Sequence, residues 1–269
     1  MSIPTQTLSS GYEQPRLGLG TWDIRGREGV AALLKAFELG YSHVDTAELY
    51  ENQREVGQAL QEVDRASIFV TSKVLAEKLH REDLLASCQD TLRDLQTDYL
   101  DMLLIHWPNH NIPMEETFAA LREAHERGWV RSIGVSNFII ERLERALAIS
   151  ELPIANNQVE FHPLLYQREL LEFCTAHHVG VVAYSPLARG KVIHNGVITT
   201  LAAKHHKSPA QITLRWLVQK GCIVIPKAGS ETHLRENMDI FDWELPSEDE
   251  AAIDDIEEEY RLCRTLPSE

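Results

Sequence analysis

An alternation of short apolar runs and helical segments, repeated along the whole chain, constrains the fold more than any other feature of the sequence. Eight runs have the character of buried strands and end in polar residues, and segments with helical spacing of apolar residues lie between them. The predicted strands are 16–20, 42–45, 68–73, 102–106, 130–136, 156–160, 180–185 and 222–226, and predicted helices include 30–39, 52–63, 82–95, 114–127, 141–149 and 169–177. Eight such units predict an α/β protein with a (β/α)8 TIM barrel.

The competing architecture is a doubly wound open sheet, which usually carries a G-x-G-x-x-G fingerprint after its first strand. Residues 18–23 read Gly-Leu-Gly-Thr-Trp-Asp and lack the third glycine, and no G-x-x-x-x-G-K-[ST] phosphate loop occurs. No Pro/Gly/Ser-rich linker divides the chain, so we expect one domain over residues 1–269. Residues 2–15 are expected to form an irregular lid on the bottom of the barrel.

Composition and charge narrow the class of protein further. With 26 Lys+Arg against 41 Asp+Glu the net charge is −15, which argues against a nucleic-acid partner because no basic face is visible. Residues 244–259 hold nine acids and no basic residue, and Ile253, Ile256 and Tyr260 predict a solvated helix there. No leader segment and no apolar run of ~20 residues is present, which predicts a soluble, cytoplasmic protein without a membrane span.

Cysteine and histidine usage argues against disulfides and metals. Cys88, Cys174, Cys222 and Cys263 lie far apart without a C-x-x-C pair, which is typical of reduced thiols. A metal-dependent barrel hydrolase would usually need an H-x-H on the first strand or a comparable ligand cluster, and neither occurs. We therefore expect no metal site.

Polar residues collect at the carboxyl ends of the predicted strands, where barrel enzymes form their active sites. They are Asp45, Lys73, His106, Ser136, Asn137, Gln158, Glu160, Tyr184, Ser185 and Lys227, and Tyr50 follows Asp45 by five residues. Each one alone also fits a helix cap, a surface charge or a satisfied core residue. An acid, a phenol, a lysine and an imidazole around one mouth are harder to explain by packing.

This set of groups predicts carbonyl reduction or alcohol oxidation. A tyrosine has an ordinary pKa near ~10, and a nearby ammonium lowers that pKa while a carboxylate paired with the lysine holds the geometry. Tyr50 with Lys73 and Asp45 is therefore interpreted as a tuned general acid/base, and His106 as a second donor to a carbonyl oxygen. Such a site requires a hydride source beside it.

Four blocks in order resemble the aldo-keto reductase family, and the resemblance runs from Leu17 to about Asn237. These blocks are Gly18-Leu19-Gly20-Thr21-Trp22, Asp45-Thr46-Ala47-Glu48-Leu49-Tyr50, Thr71-Ser72-Lys73 and Ile105-His106-Trp107-Pro108. The resemblance implies an active enzyme whose catalytic residues are Asp45, Tyr50, Lys73 and His106.

The resemblance also implies a nicotinamide dinucleotide, usually NADPH, bound across the barrel mouth without a Rossmann fold. Ser136, Asn137 and Gln158 would hold the carboxamide, Tyr184 would stack on the nicotinamide ring, and residues 185–190 would wrap the pyrophosphate. The full implied set is Gly20, Thr21, Trp22, Asp45, Ser136, Asn137, Gln158, Tyr184, Ser185, Pro186, Leu187, Ala188, Gly190, Pro226, Lys227, Ser230, His233, Arg235, Glu236 and Asn237.

The departures from the family pattern lie around the adenosine 2′-phosphate. Ala228 stands where many members have Ser, and His233 stands where they often have Arg. Fewer cations should weaken the preference for NADPH over NADH. Because Lys227 remains and Arg235 lies nearby, NADPH is the expected cofactor and NADH a possible one.

The substrate is implied only as a class. Trp22, Tyr50, His106 and Trp107 match the pocket walls, while the loop 109–113 and the tail 261–269 are short. This truncated rim resembles the small microbial branch that includes 2,5-diketo-D-gluconate and methylglyoxal reductases, so small aldehydes and α-ketocarbonyls are expected, acted on by a monomer. The alternative is a regulatory subunit that binds the cofactor without turnover.

Overall fold

Residues 3–263 are described by the computed structural model, and they form a barrel of parallel strands with a small hairpin at one end. The hairpin strands are antiparallel: β1 (Thr5–Thr7) and β2 (Glu13–Pro15). The eight barrel strands are β3 (Leu19–Gly20), β4 (His43–Asp45), β5 (Phe69–Val74), β6 (Leu100–Ile105), β7 (Val130–Ser136), β8 (Ile154–Glu160), β9 (Gly180–Tyr184) and β10 (Ile223–Val224). They pair in sequence order from β3 to β10.

The sheet closes between its first and last strands. Leu17 forms a parallel bridge with Val224, and the Gly18 N–H donates to the Val224 carbonyl at 2.9 Å. The predicted (β/α)8 barrel is therefore confirmed. The last strand is shorter than predicted because Cys222 uses its N–H to end the preceding helix, while Pro226 has no N–H to give.

Helices pack around the outside of the barrel. They are α1 (Gly26–Leu39), α2 (Gln53–Leu60), α3 (Arg81–Asp94), α4 (Met114–Glu126), α5 (Ile140–Ile149), α6 (Arg168–Ala176), α7 (Gly196–His205), α8 (Pro209–Gln219), α9 (Glu231–Met238) and α10 (Ser247–Asp254). The predicted capping box at Ser208 and Gln211 is present, and Gly40 ends α1 in the left-handed conformation at φ 105°. The main core lies between the helices and the barrel wall.

The hairpin covers the bottom of the barrel, at the amino ends of the strands. Leu8 from its loop packs with Phe69, Met102, Leu104 and Ala155 inside the barrel. The expectation of a lid at the bottom is confirmed, but its description as irregular is wrong. Thr5 pairs with Pro15 and Thr7 pairs with Glu13, so these residues form two regular antiparallel strands.

The acidic segment 244–259 is only partly helical. α10 ends at Asp254, so Ile256 and Tyr260 pack on the core from irregular backbone and the predicted longer helix is wrong. Its carboxylates do not simply face water. Asp249 accepts from Lys204 at 2.8 Å, and Asp254 accepts from Lys220 and from the Trp216 indole, both at 2.8 Å. Lys204 of α7, Trp216 of α8 and Lys220, which follows α8, thus hold this segment on the barrel.

Within residues 3–263 no helix combines the length and the apolar character that a membrane crossing requires. The assignment of all 269 residues to one domain stays a prediction, because residues 1–2 and 264–269 lie outside the described part of the chain. The part of the predicted short tail that follows Cys263 lies outside it as well.

Candidate active site

A cavity of about 640 Å³ opens at the carboxyl ends of the barrel strands. Its walls come from the first, second, fourth, fifth, seventh and eighth loops that follow the barrel strands and from the adjoining strand ends. Gln158 of β8 and one residue of the C-terminal segment complete them. The lining residues are Gly20, Thr21, Trp22, Asp23, Asp45, Leu49, Tyr50, His106, Trp107, Ser136, Asn137, Gln158, Tyr184, Ser185, Pro186, Leu187, Arg189, Gly190, Ile225, Pro226, Lys227 and Cys263.

At the base of this cavity lies a group of side chains that we call the upper polar cluster: Asp45, Tyr50, Lys73, His106 and Gln158. Lys73 Nζ donates to Asp45 Oδ1 at 2.5 Å and to the Tyr50 hydroxyl at 3.2 Å. The other carboxylate oxygen, Asp45 Oδ2, accepts from Gln158 Nε2 at 2.7 Å. An amide, a carboxylate, an ammonium and a phenol are thus joined in one chain of hydrogen bonds that ends at the cavity.

The barrel wall positions the two charged members of this chain. Asp45 ends β4 and Lys73 lies in the neighbouring β5, so the parallel pairing brings both side chains into the barrel interior. Lys73 is 1% exposed, and its third partner is the Thr46 carbonyl at 2.9 Å. A buried ammonium needs its donors matched, and here each one has an acceptor.

Tyr50 is positioned by a short 3-10 turn, Glu48–Tyr50, which follows β4. Glu48 holds this turn against the barrel, since it accepts from Lys78 and from the Ser87 hydroxyl. Asn52 lies just beyond it, accepts from the Thr46 hydroxyl at 2.9 Å and donates to two carbonyls of the first loop. The tyrosine ring is thereby fixed between two loops.

Burial governs the protonation of Tyr50 more than Lys73 does. Surrounding protein raises the pKa of Tyr50 above its usual value, the Lys73 ammonium lowers it, and the Asp45 carboxylate adds to the rise. Lys73 shifts the pKa of Tyr50 in the predicted direction, but the prediction of a lowered pKa is wrong, because the effect of burial is larger. Burial likewise lowers the pKa of Lys73, and Asp45 and Tyr50 overcome this effect and raise it. Lys73 is therefore charged and Tyr50 protonated at neutral pH.

His106 follows β6 directly and lies beside the tyrosine, with ring centroids 5.8 Å apart. Burial, with a smaller contribution from the Lys73 charge, lowers its pKa to about 3, so the imidazole is neutral. Its Nδ1 is buried without a hydrogen-bond partner among the described residues. A proton there would be unsatisfied, which favours the tautomer that carries it on Nε2.

A second hydrogen-bonded group lines the neighbouring wall. Asn137, at φ 63°, donates to the His106 carbonyl and to Ser136 Oγ, both at 3.0 Å, and accepts from the Tyr184 hydroxyl at 2.9 Å. Ser136 Oγ donates to the Gln158 carbonyl at 2.8 Å. These bonds place the partly exposed Tyr184 ring at the cavity, which Ser136, Asn137 and Gln158 also line.

The structure separates the remaining predicted cofactor residues into two groups. Ser185, Pro186, Leu187, Gly190, Pro226 and Lys227 line the cavity. Ala188 is buried beneath its loop, and Ser230, His233, Arg235, Glu236 and Asn237 lie at or in α9, beyond the lining. Ser230 accepts from the His233 N–H as a helix cap, and Arg235 donates to Glu231. The roles of these residues stay predictions.

Glu160 is buried and accepts from the backbone of Leu262 and Cys263.

Asp23, Leu49, Arg189, Ile225 and Cys263 line the cavity although none of them was assigned an individual role from the sequence. Leu49 and Arg189 lie within the blocks 45–50 and 185–190 that resemble the family, so their position in those loops could have predicted that they line the cavity. Nothing in the sequence brings Cys263 to the mouth. Within residues 3–263 no group of three or more His, Cys, Asp or Glu side chains is arranged to hold a metal ion.

Comparisons with known proteins agree with this geometry. The model of the aldo/keto reductase family matches residues 16–258. Glyoxal reductase of Bacillus subtilis (strain 168) is 41% identical over 261 residues, which is 96% of this chain and 94% of that protein. Methylglyoxal reductase DkgB of Salmonella typhimurium (strain LT2) is 39% identical, covering 89% and 91%. The crystal structure of a Bombyx mori aldo-keto reductase in complex with NADP superimposes with a TM-score of 0.90 at 33% identity, covering 97% and 95%. The chain is an oxidoreductase and belongs to the aldo/keto reductase family.

Proposed function

We propose that this protein reduces small aldehydes and α-ketocarbonyls to alcohols with NADPH, using Tyr50 as the proton donor. Carbonyl reduction with a nicotinamide cofactor follows from the family. The single observation that supports the finer assignment is the chain from Asp45 through Lys73 to the Tyr50 hydroxyl, which ends at the cavity beside a neutral His106.

The residues around the cavity fit a nicotinamide dinucleotide. Gln158 Oε1 and Ser136 offer acceptors for a carboxamide, and Tyr184 presents a ring against which a planar heterocycle can stack. Lys227, in the loop after β10, supplies a cation for phosphate. Together these side chains offer polar contacts for the carboxamide, an aromatic contact for the ring and a cationic contact for phosphate.

The bound cofactor supplies a hydride to the carbonyl carbon. His106 donates its Nε2–H to the carbonyl oxygen and orients the substrate, and Tyr50 gives its proton to the same oxygen as the C=O double bond becomes a single bond. Since the pKa of Tyr50 is raised, the phenol enters the reaction protonated. Lys73 then stabilises the phenolate at 3.2 Å until water returns a proton. Asp45 keeps the ammonium in place through its hydrogen bond with Lys73 Nζ.

The mouth favours small substrates. Trp22 and Leu49 are about half exposed at the rim, and Trp22 packs edge-on against Tyr50 with ring centroids 5.0 Å apart. With Trp107 they form an apolar rim above the donors. The relatives named for glyoxal and methylglyoxal reduction support dicarbonyls of this size as substrates, and 2,5-diketo-D-gluconate is a larger candidate of the same chemistry. We further propose that the enzyme acts as a monomer in the cytoplasm.

The test is the oxidation of NADPH, followed by absorbance, with methylglyoxal, an aromatic aldehyde and a diketo sugar acid, and with NADH in parallel. Tyr50→Phe should bind NADPH as before and lose a factor of about 10²–10⁴ in kcat. Tyr166→Phe, which removes a hydroxyl remote from the cavity, is the matched control and should retain activity. A Tyr50→Phe rate within twofold of the unmodified enzyme would remove Tyr50 from this role. Cofactor binding without turnover on any substrate would instead favour a regulatory subunit.

A further inference from the structure

An ion pair crosses the cavity mouth between two loops that are far apart in the chain. Lys227 Nζ and Asp23 Oδ2 are 3.3 Å apart, although the two residues are separated by 204 positions in the chain. Both side chains line the cavity. The cation that is proposed to hold the adenosine phosphate therefore already has a carboxylate beside it.

Barrel closure sets the distance between these two side chains. The Gly20 N–H donates to the Pro226 carbonyl at 3.2 Å, and a Cβ at Gly20 would lie 2.7 Å from the Ile225 carbonyl oxygen. The first and last loops thus leave the barrel wall side by side, with no room for a larger residue between them. Their proximity is a property of the fold rather than of two flexible side chains.

The backbone of the first loop directs Asp23 outward at this point. The Ile24 N–H donates to the Thr21 carbonyl at 2.9 Å, which closes a four-residue turn, and Asp23 is its third residue at φ 61°. This conformation is uncommon for residues other than glycine, and Asp and Asn adopt it more readily than most. A carboxylate is therefore held at a turn position where glycine would be the ordinary choice.

A second cation of this region, Arg235, is also paired with a carboxylate. Arg235 donates through Nε and Nη2 to Glu231 Oε1 at 2.9 and 2.7 Å. The Ser230 hydroxyl oxygen accepts from the backbone N–H of His233 at the start of α9. A 2′-phosphate that approaches this region meets cations that are partnered with carboxylates.

We infer that Asp23 is a specificity-determining residue that weakens the preference of this enzyme for NADPH over NADH. This inference rests on the proposed function, in which Lys227 binds the 2′-phosphate. NADPH must take Lys227 away from Asp23 and bring a dianion towards a carboxylate. NADH carries a hydroxyl at that position and leaves the pair intact. Asp23 thus weakens the binding of NADPH without affecting the contacts to the part of the dinucleotide that NADPH and NADH share.

The expected effect is modest because both partners are exposed and water screens the pair. In Asp23→Asn the dissociation constant for NADPH should fall by about three- to fivefold, and that for NADH should stay within twofold. Asparagine tolerates the same backbone conformation, so the turn is preserved. Both constants are measured by titration of intrinsic fluorescence at fixed ionic strength, which requires no turnover.

Glu51→Gln is the matched control. Glu51 also has a left-handed backbone, at φ 54°, and an exposed ion pair, with Arg25, and it does not line the cavity. Glu51→Gln changes the net charge by the same amount as Asp23→Asn and should leave the dissociation constants for NADPH and NADH unchanged. In a Lys227→Met background, Asp23→Asn should favour NADPH less than it does in the unmodified enzyme, because the ion pair is already absent and only the repulsion between the Asp23 carboxylate and the phosphate is relieved.

Three results separate the inference from its alternatives. Equal tightening or equal weakening for both cofactors would overturn it and make the pair a clasp over the common part of the dinucleotide. If Asp23→Asn binds each cofactor with an unchanged dissociation constant, the inference is overturned and the proposed function stands. If the unmodified protein binds neither dinucleotide, the proposed function and the inference fail together.

Discussion

Two polar clusters lie one above the other inside the same barrel, on the same strands. The upper polar cluster includes Asp45, Lys73 and Gln158, and each has a polar residue two positions earlier: His43, Thr71 and Asn156. Side chains two apart on a strand share a face, so both sets point inward. With Gln14 of the hairpin, the second set forms what we call the lower polar cluster.

The two clusters differ in charge and in what covers them. In the lower polar cluster His43 Nε2 lies 3.2 Å from Thr71 Oγ1, and Asn156 donates to Gln14 at 2.7 Å. All four residues are almost fully buried, and burial lowers the pKa of His43 to about 4, so this cluster is neutral. The upper polar cluster holds an ion pair and opens into the cavity. Both clusters are buried, and the upper polar cluster, which is the proposed catalytic one, differs in holding an ion pair beside an open cavity.

The largest expected contrast comes from matched substitutions on β5. Lys73→Met leaves the Asp45 carboxylate buried without its cation, so the free energy of unfolding should fall by about 3–5 kcal/mol and kcat by ~100-fold or more. Thr71→Val removes a neutral hydrogen bond in the lower polar cluster and should lower the free energy by about 1 kcal/mol without changing kcat. Urea unfolding and initial rates measure both. Equal losses of activity would break the comparison.

A smaller effect concerns acid stability, which the lower polar cluster should control. His43 is neutral when folded, with a pKa of about 4, whereas the unfolded chain protonates it near 6.5. The unfolded state therefore binds more protons between these values, and the free energy of unfolding falls as the pH drops from 6.5 to 4, by about 3 kcal/mol from this group. Urea unfolding of His43→Gln at a series of pH values should give a shallower decline. Parallel pH profiles would contradict the assignment.

The smallest contrast uses two glutamines, one in each cluster. Gln14→Leu removes the acceptor of Asn156 and should lower the free energy of unfolding by about 1–3 kcal/mol, with cofactor affinity and kcat unchanged. Gln158→Leu removes the donor to Asp45 Oδ2 and should lower kcat as well. Thermal melts and steady-state kinetics measure the pair. Unchanged kinetics in Gln158→Leu would restrict the upper polar cluster to its charged members and Tyr50.

Sequence periodicity predicted the barrel and the end at which the polar side chains of the cavity gather. Parallel strands bring their carboxyl ends to one mouth, so polar residues that end successive strands, such as Asp45 and His106, could be assigned to one site from the order of residues alone. Local signals also predicted the cap at Ser208 and the helix end at Gly40. These features depend on residues close together in the chain.

The lower polar cluster escaped prediction because its residues look like ordinary strand positions. His43 and Asn156 become partners only through Gln14, which the hairpin inserts from below. The pKa of Tyr50 was predicted in the wrong direction for a related reason. The charge of Lys73 is visible in the sequence, whereas the burial that outweighs it depends on packing from several loops.

The sequence by itself determined the order of strands and helices, the residue types at the barrel mouth and the family to which the chain belongs. Only the tertiary structure decided that Asp23 meets Lys227, that Cys263 reaches the cavity and that Lys204 and Lys220 hold the acidic segment. Periodicity and capping act over a few residues, so they can be read locally. Contacts across a closed barrel depend on where distant segments meet, and that is set by the packing of the whole chain.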